Sequence, residues 1–305
     1  MKRLFGLFLV TLIAAPASAQ IVVDGTRDGA YGSALALQTV QTQFGDANPN
    51  NGSELDAGYG RIQGGRLYLM LTGNLENNFN KLEIFIDSKA GGQAAFDSSG
   101  NDNAQVMDGL VFDAGFTADF HVIARRGSDG SGPKFDLDFA DLGAQTASGY
   151  FDFLGGGGDS GIGSTGTGVN GSPIEVGYNG SNTAGVTGGS GAADQNAAAA
   201  VTSGLELSFD LADLDYLGGA INVMVGQNNG DHNYWSNQFL GGLPAPQGNL
   251  GGDEAGGFTG EGAINMNNFA GNQFFTIRAI PEPATLALAG IAGLGMVVNM
   301  LRRKK

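Results

Sequence analysis

The 305 residues include two histidines and no cysteine, which excludes thiol nucleophiles, disulfides and cysteine-ligated zinc or iron–sulfur centres. His121 sits in Asp119-Phe120-His121-Val122-Ile123, a strand-like run without a serine nucleophile motif, and is read as structural. His232 sits in Asn228-Asn229-Gly230-Asp231-His232-Asn233-Tyr234-Trp235, a polar loop closing on two aromatics. Aromatic faces stack on sugar rings, while amides and carboxylates hydrogen-bond sugar hydroxyls. Asp231, His232, Tyr234 and Trp235 are therefore the candidate carbohydrate-binding residues, against the plainer reading of an aromatic plug at the end of a sandwich.

A second cluster, Asp97-Ser98-Ser99-Gly100-Asn101-Asp102-Asn103 followed by Asp108, gathers hard oxygen donors. Asp97, Asn101 and Asp102 are candidate calcium ligands, although the spacing departs from an EF-hand loop, and a solvated turn is the alternative. No other cofactor is expected. The pairs Asp136/Asp138 and Asp213/Asp215 invite comparison with glycosidase acids, but sequence gives no separation between carboxylates. Overlapping G-x-G-x-x-G matches starting at Gly156, Gly161 and Gly166 follow from glycine content alone, with no helix after them to cradle a phosphate. The chain is not expected to be an enzyme.

The elements that must position these residues read as β-strands. Segments 66–71, 82–87, 119–125, 205–210, 220–226 and 274–280 alternate apolar and polar residues or run β-branched. Leu211, Leu214 and Leu217 then step by three, predicting one helical turn. The pattern predicts an all-β, jelly-roll-like antiparallel sandwich over residues 20–280. Residues 155–198 are dominated by glycine, serine and threonine and read as a long loop or insert, with a short strand at 173–178; a boundary between two small domains is the alternative.

The two ends have a different character. Met1-Lys2-Arg3, an apolar run over 4–15 and Ala17-Ser18-Ala19 form a secretory signal peptide, with cleavage expected after Ala19 to leave Gln20 first. That route requires the Sec translocon and signal peptidase. At the other end Pro281-Glu282-Pro283 precedes an apolar segment, 284–301, and the basic tail Arg302-Arg303-Lys304-Lys305. As a helix rising about 1.5 Å per residue, 284–301 spans about 27 Å, enough for a bilayer core. The four cations stay cytoplasmic by the positive-inside rule, which leaves everything before Pro281 outside. Between the ends, residues 20–280 hold 9 basic and 29 acidic residues, a net charge of −20, against which nucleic-acid binding is excluded.

The order Pro281-Glu282-Pro283, apolar helix, basic end resembles the PEP-CTERM sorting signal. The resemblance implies that an exosortase, an integral membrane enzyme, reads Pro281, Glu282 and Pro283 and that the chain is its substrate. It further implies inner-membrane anchoring before processing, then a surface or extracellular location linked to extracellular polysaccharide and biofilm. An ordinary single-pass anchor behind a proline hinge is the alternative. Ile21-Val22-Val23-Asp24-Gly25 with Asp28, Leu67-Tyr68-Leu69-Met70-Leu71, Leu82-Glu83-Ile84-Phe85-Ile86-Asp87 and the segment 205–214 are similar in order to sandwiches of the carbohydrate-binding module family 9 and DOMON-like type. That likeness implies a fold more than a ligand, because such modules present several aromatic platforms and this chain has one tryptophan, Trp235.

Overall fold

Strands with one apolar face must bury it, and pairing antiparallel lets two such faces meet. The computed structural model describes residues 20–45, 52–154, 158–260 and 263–279. It places successive groups of strands alternately into two sheets. The first sheet takes β1 (Ala36–Leu37), β2 (Glu54–Gln63) and β3 (Arg66–Asn74), then later β8 (Ser160–Ser164), β9 (Glu175–Asn179) and β10 (Gly204–Asp210). Its order is β1-β2-β3-β10-β9-β8. The second sheet takes β4 (Lys81–Asp87), β5 (Phe120–Ser128), β6 (Pro133–Asp141) and β7 (Thr146–Tyr150), then β11 (Ala220–Asn228), β12 (Trp235–Leu240) and β13 (Phe275–Arg278). Its order is β12-β11-β4-β5-β6-β7, with β13 sharing the outer edge of β11. Every pairing between these strands is antiparallel, and Ile21–Ala279 forms one unit. The β-sandwich expected from the alternation is the observed architecture.

Leu67, Leu69 and Leu71 of β3 and Leu205, Leu207 and Phe209 of β10 join one buried core with Leu82, Ile84 and Ile86 of β4, Val122 of β5 and Leu137 of β6. Each such side chain contributes roughly 1.5–3 kcal/mol on burial. The β2–β3 hairpin turns on Gly64 and Gly65, both at positive φ (60° and 81°), as a two-residue turn matched to strand twist requires. The outer face of the first sheet is covered by the N-terminal segment. There the buried Glu206 accepts from the Asp24 and Gly25 amides (2.9 and 3.1 Å) and from the Tyr31 hydroxyl (2.8 Å).

Two expectations are corrected. The stretch read as a loop or insert carries more than the strand expected at 173–178, which is β9: β8 and most of the short helix α1 (Gln195–Ala200) also fall within 158–198. Ile174, Val176, Tyr178 and Val186 supply the buried side chains there. The glycines admit close backbone crossings, as at Gly177, where a Cβ would lie 2.4 Å from the Gly25 nitrogen. The helical turn expected at 211–217 is a succession of tight turns, with Leu214 buried and Leu217 fully exposed. Ala17 and Ala19, expected to mark signal-peptide cleavage, and the whole segment from Pro281 to Lys305 lie outside the described residues. Gln20 is exposed and Ile21 is buried. Among the described residues no helix is long and apolar enough to cross a membrane.

Candidate functional site

Period two gives β4 a second face. Leu82, Ile84 and Ile86 point into the inter-sheet core, so Lys81, Glu83 and Phe85 must point away from it. That outer face is buried too, beneath a second apolar cluster built from Phe96, Ala104, Met107, Leu110, Phe112 and Phe116 of the β4–β5 connection and Leu250, Ile264 and Met266 of the β12–β13 connection. The strand register then aligns polar residues in rows. Asn228, Lys81, Arg125 and Asp136 are successive cross-strand partners, and in the next row Glu83 pairs with Ile123, opposite Asp138. One row further on, Phe85 pairs with His121.

These side chains form one buried ionic network. Glu83, wholly buried, receives His232 Nδ1 on Oε1 at 2.7 Å and His121 Nε2 on Oε2 at 2.8 Å. His121 is fixed by stacking on Phe85, with ring centroids 4.4 Å apart and 6° between planes. His232 Nε2 lies 2.8 Å from the Asp102 carbonyl and 3.3 Å from Asp102 Oδ2. Lys81 Nζ meets Asp102 Oδ2 at 2.5 Å, and Arg125 Nη1 reaches the same oxygen at 3.0 Å. Arg125 also pairs with Asp138 and, through Nε, with Asp136 at 3.6 Å.

Burial opposes ionisation of Glu83, but the two imidazoles outweigh it and hold its carboxyl well below the usual range. Burial likewise opposes charge on His232, yet the Glu83 carboxylate and the hydrogen bonds to Asp102 and Glu83 push its pKa up to about 9. Asp102 is held low, since the hydrogen bonds from His232 and Lys81 and the Arg125 charge overcome its desolvation. A pH dependence follows. With a folded-state pKa above the unfolded 6.5, His232 gives stability that is complete below about pH 6.5 and is lost as pH rises through about 9. The size is on the order of 1–3 kcal/mol. Thermal melts from pH 6 to 9.5 are expected to show this decline, and His232→Gln to flatten it; an unchanged slope in the variant would exclude His232 as its source.

Beside the network opens a pocket of about 360 Å³, lined by Lys81, Asp102, Asn103, Gln105, Gly230 and Asp231 among others. One wall is the 3-10 segment Asn101–Met107, kinked where Asp102 and Asn103 take φ of 49° and 61°; the other is the β11–β12 loop, where His232 has φ 57°. Left-handed backbone at three neighbouring non-glycine residues is uncommon, though aspartate, asparagine and histidine tolerate it best.

Of the four residues read as a sugar site, the structure brings Asp231 and His232 to this pocket and sends the aromatics elsewhere. Trp235, the first residue of β12, is fully buried beside Phe239, with ring centroids 5.2 Å apart, and is no surface platform. Tyr234 has ring neighbours on Phe44 (6.0 Å) and Phe258 (4.5 Å). Of the three calcium candidates, Asp102 is engaged by Lys81, Arg125 and His232, which leaves its carboxylate compensated without a metal. Among the described residues no group of three or more acidic or histidine side chains is placed to hold an ion. Asp136 and Asp138 share Arg125, while Asp213 accepts the Ser172 amide (2.8 Å) and Asp215 pairs with Lys89 (2.5 Å). The sequence reading missed Lys81, Glu83 and Arg125. The signal was present in Lys81-Leu82-Glu83-Ile84-Phe85, where charge alternates inside an otherwise apolar strand.

Compared with family models, residues 279–304 match the PEP-CTERM protein-sorting motif. Compared with curated proteins and with solved structures, the chain finds no match. The matched motif marks the chain as a substrate of an exosortase-type sorting system, exported and anchored by its C-terminal segment before processing.

Proposed function

We propose that this sorted chain is a non-enzymatic surface or extracellular-matrix component, delivered by its signal peptide and released or transferred by exosortase acting at Pro281-Glu282-Pro283. The motif match at residues 279–304 is the observation that carries this reading. A non-catalytic role draws support from the ionic network. Its His–Glu pairs are spent on one another, and the Lys81 and Asp102 that reach the pocket already neutralise each other. The acidity of residues 20–280 fits a solvated protein outside the cell that stays clear of anionic headgroups.

Intact-mass measurement and fractionation of the protein from its native host test the proposal, with and without alanine at Pro281, Glu282 and Pro283. The expected mature form begins at Gln20, lacks the tail and leaves the membrane, and the triple variant accumulates unprocessed in the membrane fraction. Equal processing of both forms would sink the motif-dependent reading. Retention of 281–305 in both would reduce the tail to a plain anchor.

A further inference from the structure

We propose that the pocket beside Lys81 binds a neutral ring polyol, most simply one hexose unit, through the side chains of Lys81, Asn103, Gln105 and Asp231. This goes beyond the sorting reading and does not depend on it. It also places the ligand away from Trp235 and Tyr234.

The first observation is an incompletely used ammonium group. His232 Nδ1 faces the Glu83 carboxylate and Nε2 faces the Asp102 carbonyl, both acceptors, so both ring nitrogens carry hydrogen. The 3.0 Å approach of Lys81 Nζ to Nε2 is therefore a contact between donors and leaves Lys81 unsatisfied there. Lys81 has three N–H bonds to place. Among the described residues Asp102 Oδ2 is the acceptor it reaches. Its side chain is 4% exposed, and that exposure opens on the pocket. A buried ammonium with spare donors calls for an oxygen acceptor in the cavity.

Charge balance says which oxygen. His232 is balanced by Glu83 and Lys81 by Asp102, which leaves Asp231, among the described residues, as the uncompensated charge lining the pocket. Its carboxylate disfavours an anion and the spare Lys81 donors disfavour a cation, so a neutral hydroxyl is favoured over either. The rim suits several hydroxyls at once. Among the described residues the side chains of Asn103, Gln105 and Asp231 have no hydrogen-bond partner, and Asn233 has its Oδ1 engaged by Asn229 while Nδ2 stays available. These amides and the carboxylate offer both donors and acceptors, as vicinal hydroxyls need. Val106, partly exposed, offers a patch for the C–H face of a ring. The loop carrying Asp231 and Asn233 is held in advance, because Asn229 Oδ1 accepts both of their backbone amides (3.2 and 3.0 Å). Less ordering is then lost on binding.

Saturation-transfer NMR on the intact secreted protein tests this, with D-glucose, D-galactose, D-mannose, myo-inositol and sodium glucuronate as probes. Each is used at about 10 mM, which fills a millimolar site. At least one neutral probe is expected to receive saturation, and more strongly than glucuronate. Transfer to a hexose assigns a sugar site, and transfer to inositol alone assigns a general polyol site. Gln105→Ala with Asp231→Ala, both at exposed positions, should cut the transfer about five-fold or more without moving the melting temperature, a loss near 1 kcal/mol. The proposal is overturned by silence from every neutral probe, by transfer that survives the double variant, or by preference for glucuronate.

Discussion

Glu83→Ala lowers the melting temperature by about 6–20 °C at pH 6.5. Removing one partner from a buried charged set costs roughly 3–5 kcal/mol, because the remaining charges stay desolvated without compensation. In a domain of this size 1 kcal/mol moves the midpoint by about 2–4 °C. Among the described residues Glu83 is the single carboxylate that both His121 and His232 contact at under 3 Å, and none of the three is more than 1% exposed. The contrast is with surface pairs such as Lys134–Asp152, 3.6 Å apart with Asp152 half exposed, where Asp152→Ala should change little. Calorimetry on both variants decides the matter. A Glu83→Ala midpoint within about 2 °C of the parent would mean that the histidines simply lose their protons and that the network carries little net stability.

Trp235→Ala is the second large effect, about 3–5 kcal/mol of stability with no direct loss of ligand contact. The indole is fully buried and lies over Gly226, where a Cβ would sit 2.7 Å from the ring, so truncation leaves a cavity that glycine cannot fill. Its Nε1 has no hydrogen-bond partner among the described residues, so Trp235→Phe should cost far less, under about 1.5 kcal/mol. Because Trp235 is the only tryptophan, native fluorescence reports on it directly. Emission should be blue-shifted and shielded from acrylamide until the domain unfolds. Ready quenching in the native state would mean that the ring is a surface platform after all, as the sugar-stacking alternative requires.

The placement of Tyr234 and Trp235 shows how far sequence reasoning reaches. The loop reads as polar and aromatic, and its Asp231 and His232 do line a pocket. Adjacent residues in extended chain point opposite ways, however, and nothing local says which way faces the core. The start of β12 at Trp235, pairing with Asn228, decides that the indole goes inward.

The same distinction runs through the molecule. Strands such as 82–87 and 205–210 were legible because alternation is a local consequence of one buried face, and the sorting tail because its three parts follow one another along the chain. β9 was half legible, as the strand expected at 173–178, but β8 was not, since its glycines contribute no side-chain period and its pairing depends on that neighbour. The ionic network lay further still from view. Lys81 and Glu83 show as charges inside an apolar strand, but their partners Asp102, His121 and His232 stand 21, 38 and 149 residues away along the chain. Sequence by itself determined the sorting signal and the all-β class, because each is written in contiguous residues. Tertiary structure alone decided which charges meet, which aromatic is core and where a pocket opens, because those depend on strand register between distant segments.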